Sequence, residues 1–336
     1  MVPIKDKKAN TTKSELTSEI GPHSCPSNME KVKQQQKGKN SAPAQFECVA
    51  RNVIVMCNSQ PIDDVCPEWI ERCSQTGSYA PYDMNMPSRL PVERAITNYA
   101  NDAPLTRIGL ILAQLTGRGL LYNGLVPDVI YTSPALRSIQ TAIEIRRASR
   151  SKAAIRVEPG LFENTNLYPQ GAPTFLNAKE RLALCAAIDN NYSSAISSKD
   201  LFASREQTPD YNRRVGTVLN RIVRKNEFLP VKKDLNYLIV GHPSTVDMAV
   251  GQLMRGPTPR MSTEADLAEA YKRVPNCAAV HFQMATNQWI IEEMLPVSFE
   301  GCTTALDYNF VMRPPPGAII RLNFLEENPT KRSQNY

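Results

Sequence analysis

The sequence lacks the long apolar run that a membrane-spanning helix needs, because no stretch reaches about eighteen apolar residues. Its N-terminus, MVPIKDKKANTTK, lacks the apolar segment of a secretory signal. The eight cysteines occur without CxxC pairs or histidines at metal-binding spacing, so neither a zinc site nor a disulfide framework is predicted. We therefore expect an intracellular protein, cytoplasmic and also nuclear, with reduced thiols and with neither a metal nor a cofactor.

Aromatic residues are absent from the first 45 residues, which hold eight lysines against four acidic residues. Such a segment has too little apolar surface to offset the entropy of ordering it. We predict a disordered basic tail over residues 1–47, a folded domain over 48–312 and a C-terminal extension over 313–336. The folded part has no basic helix, zinc finger or RNA-binding signature, so nucleic acid is not an expected partner.

From residue 51 onward, apolar residues alternate between strand and helix spacing. The predicted strands are NVIVM (52–56), DVIYTS (128–133), AIRVE (154–158), NYLIVG (236–241) and a pair within residues 278–295 around a turn at Thr286 and Asn287. The predicted helices are residues 105–122, 135–149, 210–229 and 244–256, the last with Ser244 as its cap and Gly256 as its end. Residues 165–208 are interpreted as an insertion over a sheet edge. This order predicts an α/β fold, a three-layer α/β/α sandwich with a mostly parallel central sheet and an antiparallel edge.

Three segments that follow predicted strands carry the polar residues of interest: CNSQP at residues 57–61, YTSPALRSIQTA at 131–142 and YLIVGHPST at 237–245. Together they resemble the histidine phosphatase (phosphoglycerate mutase-like) superfamily. With MNMPSRLP, NDAPLTRIG and IRVEPGLFENT they are most similar to the phosphatase domain of the TULA/Sts (ubiquitin-associated and SH3 domain-containing) proteins. The resemblance covers about residues 50 to 310 and implies a phosphoglycerate mutase-like fold for the folded domain.

The resemblance also exposes a departure in the first of these segments. Where the family has Arg-His-Gly-Glu-Arg, this chain has Cys57, Asn58, Ser59, Gln60 and Pro61. In the family the histidine becomes phosphorylated and the two arginines hold the phosphate. Asn58 takes the nucleophile's place, but an amide nitrogen has its lone pair delocalised into the carbonyl and cannot attack phosphorus.

Cys57 is the alternative nucleophile in this segment. Thiolate phosphatases carry an arginine six residues after the cysteine, which lowers the thiol pKa and grips the phosphate, whereas this chain has Asp63 there. We interpret Cys57 as a small structural residue, with a catalytic thiol as the alternative.

Three other residues match the family's site. Arg137 corresponds to a phosphate-binding arginine, His242 to the second histidine and Glu163 to the general acid. The structural alternatives are a surface-helix cation for Arg137, a histidine satisfied by backbone for His242, and packing through Leu161 and Phe162 for the Glu163 loop. His281 is expected to be structural.

These observations predict a catalytically inactive histidine phosphatase, or pseudophosphatase, that acts in binding or regulation, including that of phosphotyrosine or other phospho-signalling. Arg137 and His242 would form a weak site for phosphate or a phosphorylated ligand; no protein partner can be named. The alternatives are a weak phosphatase that uses His242 or Cys57 and a structural homo-oligomer without ligand. The resemblance to TULA/Sts implies a homodimer, for which the terminal strand pair offers an edge.

Overall fold

The computed structural model describes residues 46–169, 171–203, 206–225, 227–229, 234–254, 263–292, 294, 296–299 and 302–312. These residues belong to one compact unit. Residues 1–45 of the predicted tail and the predicted extension 313–336 lie outside the described residues. Phe46 and Glu47, at the end of the predicted tail, lie in a short strand.

The strands of the described residues are numbered in chain order. They are β1 (Phe46–Cys48), β2 (Ala50–Cys57), β3 (Val129–Thr132), β4 (Ile155–Val157), β5 (Glu227–Leu229), β6 (Leu235–Gly241), β7 (Ala279–Ala285), β8 (Gln288–Glu292), β9 (Ser298–Phe299) and β10 (Cys302–Thr303). The α-helices are α1 (Trp69–Thr76), α2 (Arg107–Tyr122), α3 (Leu136–Ala148), α4 (Ala178–Leu184), α5 (Ser198–Leu201), α6 (Thr208–Val223), α7 (Pro243–Leu253), α8 (Glu264–Arg273) and α9 (Tyr308–Met312). Short 3₁₀-helices cover Ile62–Asp64, Ile96–Tyr99, Pro159–Leu161 and Thr165–Leu167.

The central sheet has six strands in the order β4-β3-β6-β2-β7-β8. The first four run parallel, β7 is antiparallel to β2, and β8 is antiparallel to β7. This confirms the predicted α/β fold with a mostly parallel sheet and an antiparallel edge. The parallel strands end together at one side of the sheet, which is where ligand sites form in such folds.

Residues of β2 alternate between two hydrophobic cores, as strand geometry requires. Val53, Val55 and Cys57 pack in a core with residues of α6, α7 and α8. Ile54 and Met56 pack on the other face in a core with residues of α1, α2 and α3. Helices therefore cover both faces of the sheet, and β2 lies at its centre.

The helix predicted over residues 210–229 is wrong at its end. Helix α6 stops at Val223, and Glu227–Leu229 forms β5, which pairs antiparallel with β1. The apolar residues of NEFL fit a strand as well as a helix, and the partner strand lies about 180 residues away in sequence. Local spacing therefore could not identify this pairing.

The predicted cap of the helix after β6 is also wrong. His242 is the N-cap of α7, and Ser244 lies in its first turn with its hydroxyl bonded to Tyr211. The backbone N–H of His242 donates to Thr245 Oγ1 at 3.0 Å. Gly256, the predicted end of this helix, lies outside the described residues.

The predicted turn between the last two strands of the sheet is confirmed. Thr286 and Asn287 separate β7 from β8 and have φ angles of 45° and 64°. Positive φ at both central residues matches the right-handed twist of a two-residue hairpin.

Candidate functional site

The ends of β2 and β6 and the first turns of α3 and α7 border a cavity of about 480 Å³. We call it the strand-end cavity. Cys57, Asn58, Arg137, Glu163 and His242 all line it, so the structure brings together the predicted site residues of four distant segments.

Hydrogen bonds to several elements, including β6, α3 and α2, hold the segment after β2. The Asn58 amide nitrogen donates to Ser59 O at 2.9 Å, while its side-chain oxygen has no partner in the described part of the chain. Ser59 turns away from the cavity and donates from Oγ to Gly109 O at 2.6 Å. Pro61 lines the cavity wall and offers no side-chain donor. This segment therefore supplies no cation to the cavity.

Arg137 and Glu163 form a buried ion pair inside the cavity. The Arg137 guanidinium donates to Glu163 Oε1, and their side chains are only 11% and 5% exposed. Burial by itself raises the pKa of Glu163, but the Arg137 guanidinium and the Tyr168 hydroxyl outweigh it and lower the pKa. The alternative interpretation of Arg137 as a cation on a surface helix is therefore wrong. Glu163 is ionised and accepts the hydrogen bond from Arg137.

His242 is buried beside this ion pair. Its Nε2 is 2.8 Å from Ser133 Oγ, and its Nδ1 is 3.4 Å from Arg137 Nη2 and 3.6 Å from Glu163 Oε2. Burial lowers the pKa of His242 to about 3, and Glu163 opposes this only in part. The imidazole is neutral near pH 7, and side chains rather than backbone groups satisfy its ring.

Sequence reasoning missed the residues that hold Glu163 in place. The hydroxyls of Tyr168 and Tyr271 both donate to its carboxylate, one to each oxygen. Arg214 of α6 donates to the backbone oxygens of Gly160, Phe162 and Glu163 at 2.9, 3.0 and 3.2 Å. Tyr271 and Arg214 act across tertiary contacts, and Tyr168, although only five residues from Glu163, belongs to no motif of the predicted site.

The start of α3, which carries Arg137, is positioned by Asp102. The Leu136 N–H donates to Asp102 Oδ1 at 2.7 Å, and Arg94 donates to Asp102 Oδ2 at 3.1 Å. Arg94 in turn stacks over the Tyr99 ring at 4.0 Å. A buried, paired carboxylate thus caps the helix and fixes its first turn.

Two further acidic residues, Asp63 and Asp64, line the mouth of the strand-end cavity. Asp63 accepts a hydrogen bond from Trp69 Nε1 at 2.7 Å, which fixes its position. Lys272 lines the same cavity as an exposed side chain. Three carboxylates therefore face two cations, Arg137 and Lys272, so the cavity does not favour anions as a set of free arginines would.

Cys57 is 1% exposed. Burial, followed by the neighbouring Cys277, raises the pKa of its thiol well above the usual value, although Arg137 acts in the opposite direction. The thiol is therefore protonated near pH 7, unlike a reactive thiolate.

Within the described residues, no group of three or more His, Cys, Asp and Glu side chains is arranged to hold a metal ion. Six cysteines of that part of the chain are unpaired thiols: Cys57, Cys66, Cys73, Cys185, Cys277 and Cys302. None of the described helices has the length and apolar composition needed to span a bilayer.

Comparison with known proteins agrees with this geometry. The sequence model of the histidine phosphatase superfamily (branch 1) matches residues 92–294, a range that begins after residues 57–61. The ecdysteroid-phosphate phosphatase of Drosophila melanogaster is 30% identical over 255 residues, which cover 74% of this chain and 33% of the relative. The human ubiquitin-associated and SH3 domain-containing protein B is 32% identical over 212 residues, which cover 62% of this chain and 31% of the relative.

A solved structure agrees with the match to the histidine phosphatase superfamily. The ecdysone phosphate phosphatase of Bombyx mori, crystallised with tungstate, superposes with a TM-score of 0.63 at 26% identity, over 78% of this chain and 99% of that one. The chain spans about a third of the length of the two curated relatives described above.

Proposed function

The chain belongs to the histidine phosphatase superfamily, and we propose that it is a pseudophosphatase, a member that keeps the fold and binds ligands without hydrolysing them. The observation that carries this proposal is the state of the strand-end cavity, in which Asn58 stands at the nucleophile's place and Glu163 neutralises Arg137.

The cavity offers no nucleophile for phosphoryl transfer among the three candidate residues. Asn58 cannot attack phosphorus, and loss of a nucleophile reduces rates by about 10⁴- to 10⁶-fold. His242 is buried with Nε2 beside Ser133 and Nδ1 beside the ion pair, so neither nitrogen is free for attack. Cys57 is a buried, protonated thiol.

Proton donation is compromised as well. A general acid must hold a proton near the working pH, which requires a raised pKa. The pKa of Glu163 is lowered, and the carboxylate accepts hydrogen bonds from Arg137, Tyr168 and Tyr271. It therefore acts as a fixed anion that orders the cavity.

We expect inorganic phosphate or a phosphorylated ligand to bind this cavity only weakly. The Bombyx mori relative holds tungstate, an analogue of phosphate. In this chain an anion must compete with Glu163 for Arg137, and residues 57–61 add no cation. Affinity in the millimolar range, about 4 kcal/mol of binding free energy, is consistent with so few donors.

The test is hydrolysis of an aryl phosphate by the full chain between about pH 5 and 8, with the Bombyx mori enzyme as the positive control. We expect no turnover above that of His242→Ala or of Cys57→Ala, and no labelled phosphoenzyme. Turnover in the wild-type protein that either substitution abolishes would show that the chain is a weak phosphatase.

The proposed assembly is a homodimer, as the resemblance to the TULA/Sts proteins implies. Strand β8 lies at the edge of the central sheet and carries Trp289, Ile290 and Ile291. No other strand of the described residues pairs with the outer side of β8, and an edge of this kind can accept a second strand. Light scattering after gel filtration should give twice the chain mass, and a monomer would refute the dimer.

We further propose a cytoplasmic and nuclear location, which cell fractionation tests.

A further inference from the structure

A second cavity, of about 620 Å³, lies on the sheet face that α2 covers. We call it the α2–β7 cavity. Its apolar wall consists of Leu120, Leu125, Ala279, Met294, Val297 and Leu306. Volumes of about 300 to 1,000 Å³ are typical of sites for small organic ligands, which combine an apolar wall with a few polar groups.

The polar floor of this cavity is built from strands β2 and β7. His281 Nε2 lies 2.9 Å from Asn52 Oδ1, and Gln283 Nε2 donates to the same oxygen at 3.4 Å. Asn52 Nδ2 donates to Asn236 Oδ1 at 2.8 Å, which fixes the amide. Burial lowers the pKa of His281 to about 4, so its ring is neutral near pH 7. Hydrogen bonds thus connect the side chains of this floor, and those described here carry no positive charge near pH 7.

Glu292 supplies a negative charge at the edge of this floor. It is the register partner of His281 in the antiparallel pair of β7 and β8, so both side chains point to the same face of the sheet. Glu292 lines the cavity and is partly buried, and no cation of the described residues pairs with it. This carboxylate lines the cavity and is therefore available to pair with a bound cation.

We propose that the α2–β7 cavity binds a small amphipathic organic cation, an aromatic or aliphatic amine whose ammonium group donates to Glu292 and whose apolar body packs against Leu120 and Met294. The single carboxylate sets the preference for positive charge, and the apolar wall sets the preference for a hydrophobic body. This site shares no side chain with the strand-end cavity, so it does not depend on the proposed loss of phosphatase chemistry.

The test compares the binding of three indole ligands of similar size to the full chain. Ligand-observed NMR near pH 7 monitors each titration. Tryptamine is a cation, tryptophol is its neutral analogue and indole-3-acetate is an anion. We expect tryptamine to bind with a Kd of about 1 mM or below and about tenfold more tightly than tryptophol, because a charge-assisted hydrogen bond replaces a neutral one. Indole-3-acetate should bind more weakly than tryptophol.

Two substitutions assign the binding to this cavity. Glu292→Gln should abolish the preference for tryptamine over tryptophol and leave tryptophol binding unchanged, while Glu71→Gln, an exposed acid of α1, should change neither. Gly119 of α2 lines the cavity, and a Cβ added there would meet no atom within 4 Å. Gly119→Leu should therefore fill the space and weaken both ligands at least about tenfold, with Gly119→Ala as the matched control for helix propensity.

Thermal melts confirm that each variant is folded. Absence of tryptamine binding at several millimolar, equal affinity for tryptamine and tryptophol, or unchanged binding in Gly119→Leu would each overturn the proposal. Because Glu292 and Gly119 lie outside the strand-end cavity, sulfate binding there should be the same in all these variants, which separates this test from that of the proposed function.

Discussion

The guanidinium of Arg137 donates to the carboxylate of Glu163 inside the strand-end cavity, so the cation and the anion neutralise each other where the resemblance assigns phosphate binding and proton donation to them. The Tyr168 and Tyr271 hydroxyls complete the coordination of the carboxylate. The buried polar groups of the cavity therefore form a largely satisfied network, and an entering anion must break part of it.

Glu163→Gln should increase the affinity for sulfate about tenfold, because a neutral amide competes for Arg137 less strongly than a carboxylate does. Sulfate keeps a constant charge between about pH 5 and 8, and isothermal titration can measure its binding. The control is Glu68→Gln, an exposed acid that pairs with Arg72. Unchanged sulfate affinity in Glu163→Gln would contradict the competition between Glu163 and the anion.

Arg137→Ala should lower the free energy of unfolding by about 3 to 5 kcal/mol, because it leaves the Glu163 carboxylate buried without its countercharge. The double variant Arg137→Ala/Glu163→Ala should be less destabilised than the sum of the two single variants. Urea unfolding of the four proteins measures this coupling. Additive losses would mean that the two side chains do not interact.

The protein should become less stable in mild acid, because protonation of His242 favours the unfolded chain. The folded pKa of His242, about 3, lies below an unfolded value of about 6.5, so the unfolded chain takes up the proton first as the pH falls. Its contribution is therefore complete above about pH 6.5 and declines toward pH 3, by about 2 kcal/mol at pH 5.

Urea unfolding of the wild-type protein and of His242→Gln at pH 7 and pH 5 tests this titration. The loss on acidification should be smaller by about 2 kcal/mol in the variant, which lacks the titrating ring. His281, with a pKa of about 4, contributes in the same direction to both proteins and cancels in the comparison. Equal losses in the two proteins would refute the titration assigned to His242.

The fourfold replacement Cys57→Arg, Asn58→His, Ser59→Gly and Pro61→Arg should tighten phosphate binding and give slow hydrolysis with a phosphohistidine at position 58. Arg137, His242 and Glu163 already line the cavity. Asn58→His alone should give much less, because nothing would orient the phosphate for attack. Acid-labile phosphate on the protein is the readout. A folded fourfold variant that neither binds phosphate more tightly nor becomes labelled would falsify the proposed arrangement.

The succession of strands and helices along the chain could be predicted from the sequence because it depends on local spacing, whereas the order of the strands in the sheet depends on long-range pairing. The alternation along β2 and the two-residue turn at Thr286 and Asn287 are properties of a few adjacent residues. The pairing of Glu227–Leu229 with Phe46–Cys48 could not be predicted, because strand pairing depends on a partner that is far away in sequence.

The properties of the strand-end cavity likewise depend partly on the sequence alone and partly on the tertiary structure. The sequence by itself determined which chemical groups are available: an amide at position 58, a thiol at 57, and no arginine in residues 57–61. It could not determine that Glu163 is buried and ionised, since that depends on Arg137, Tyr168 and Tyr271, which come from three different elements. A pKa is set by burial and by charges within a few ångströms, and only the tertiary structure decides both.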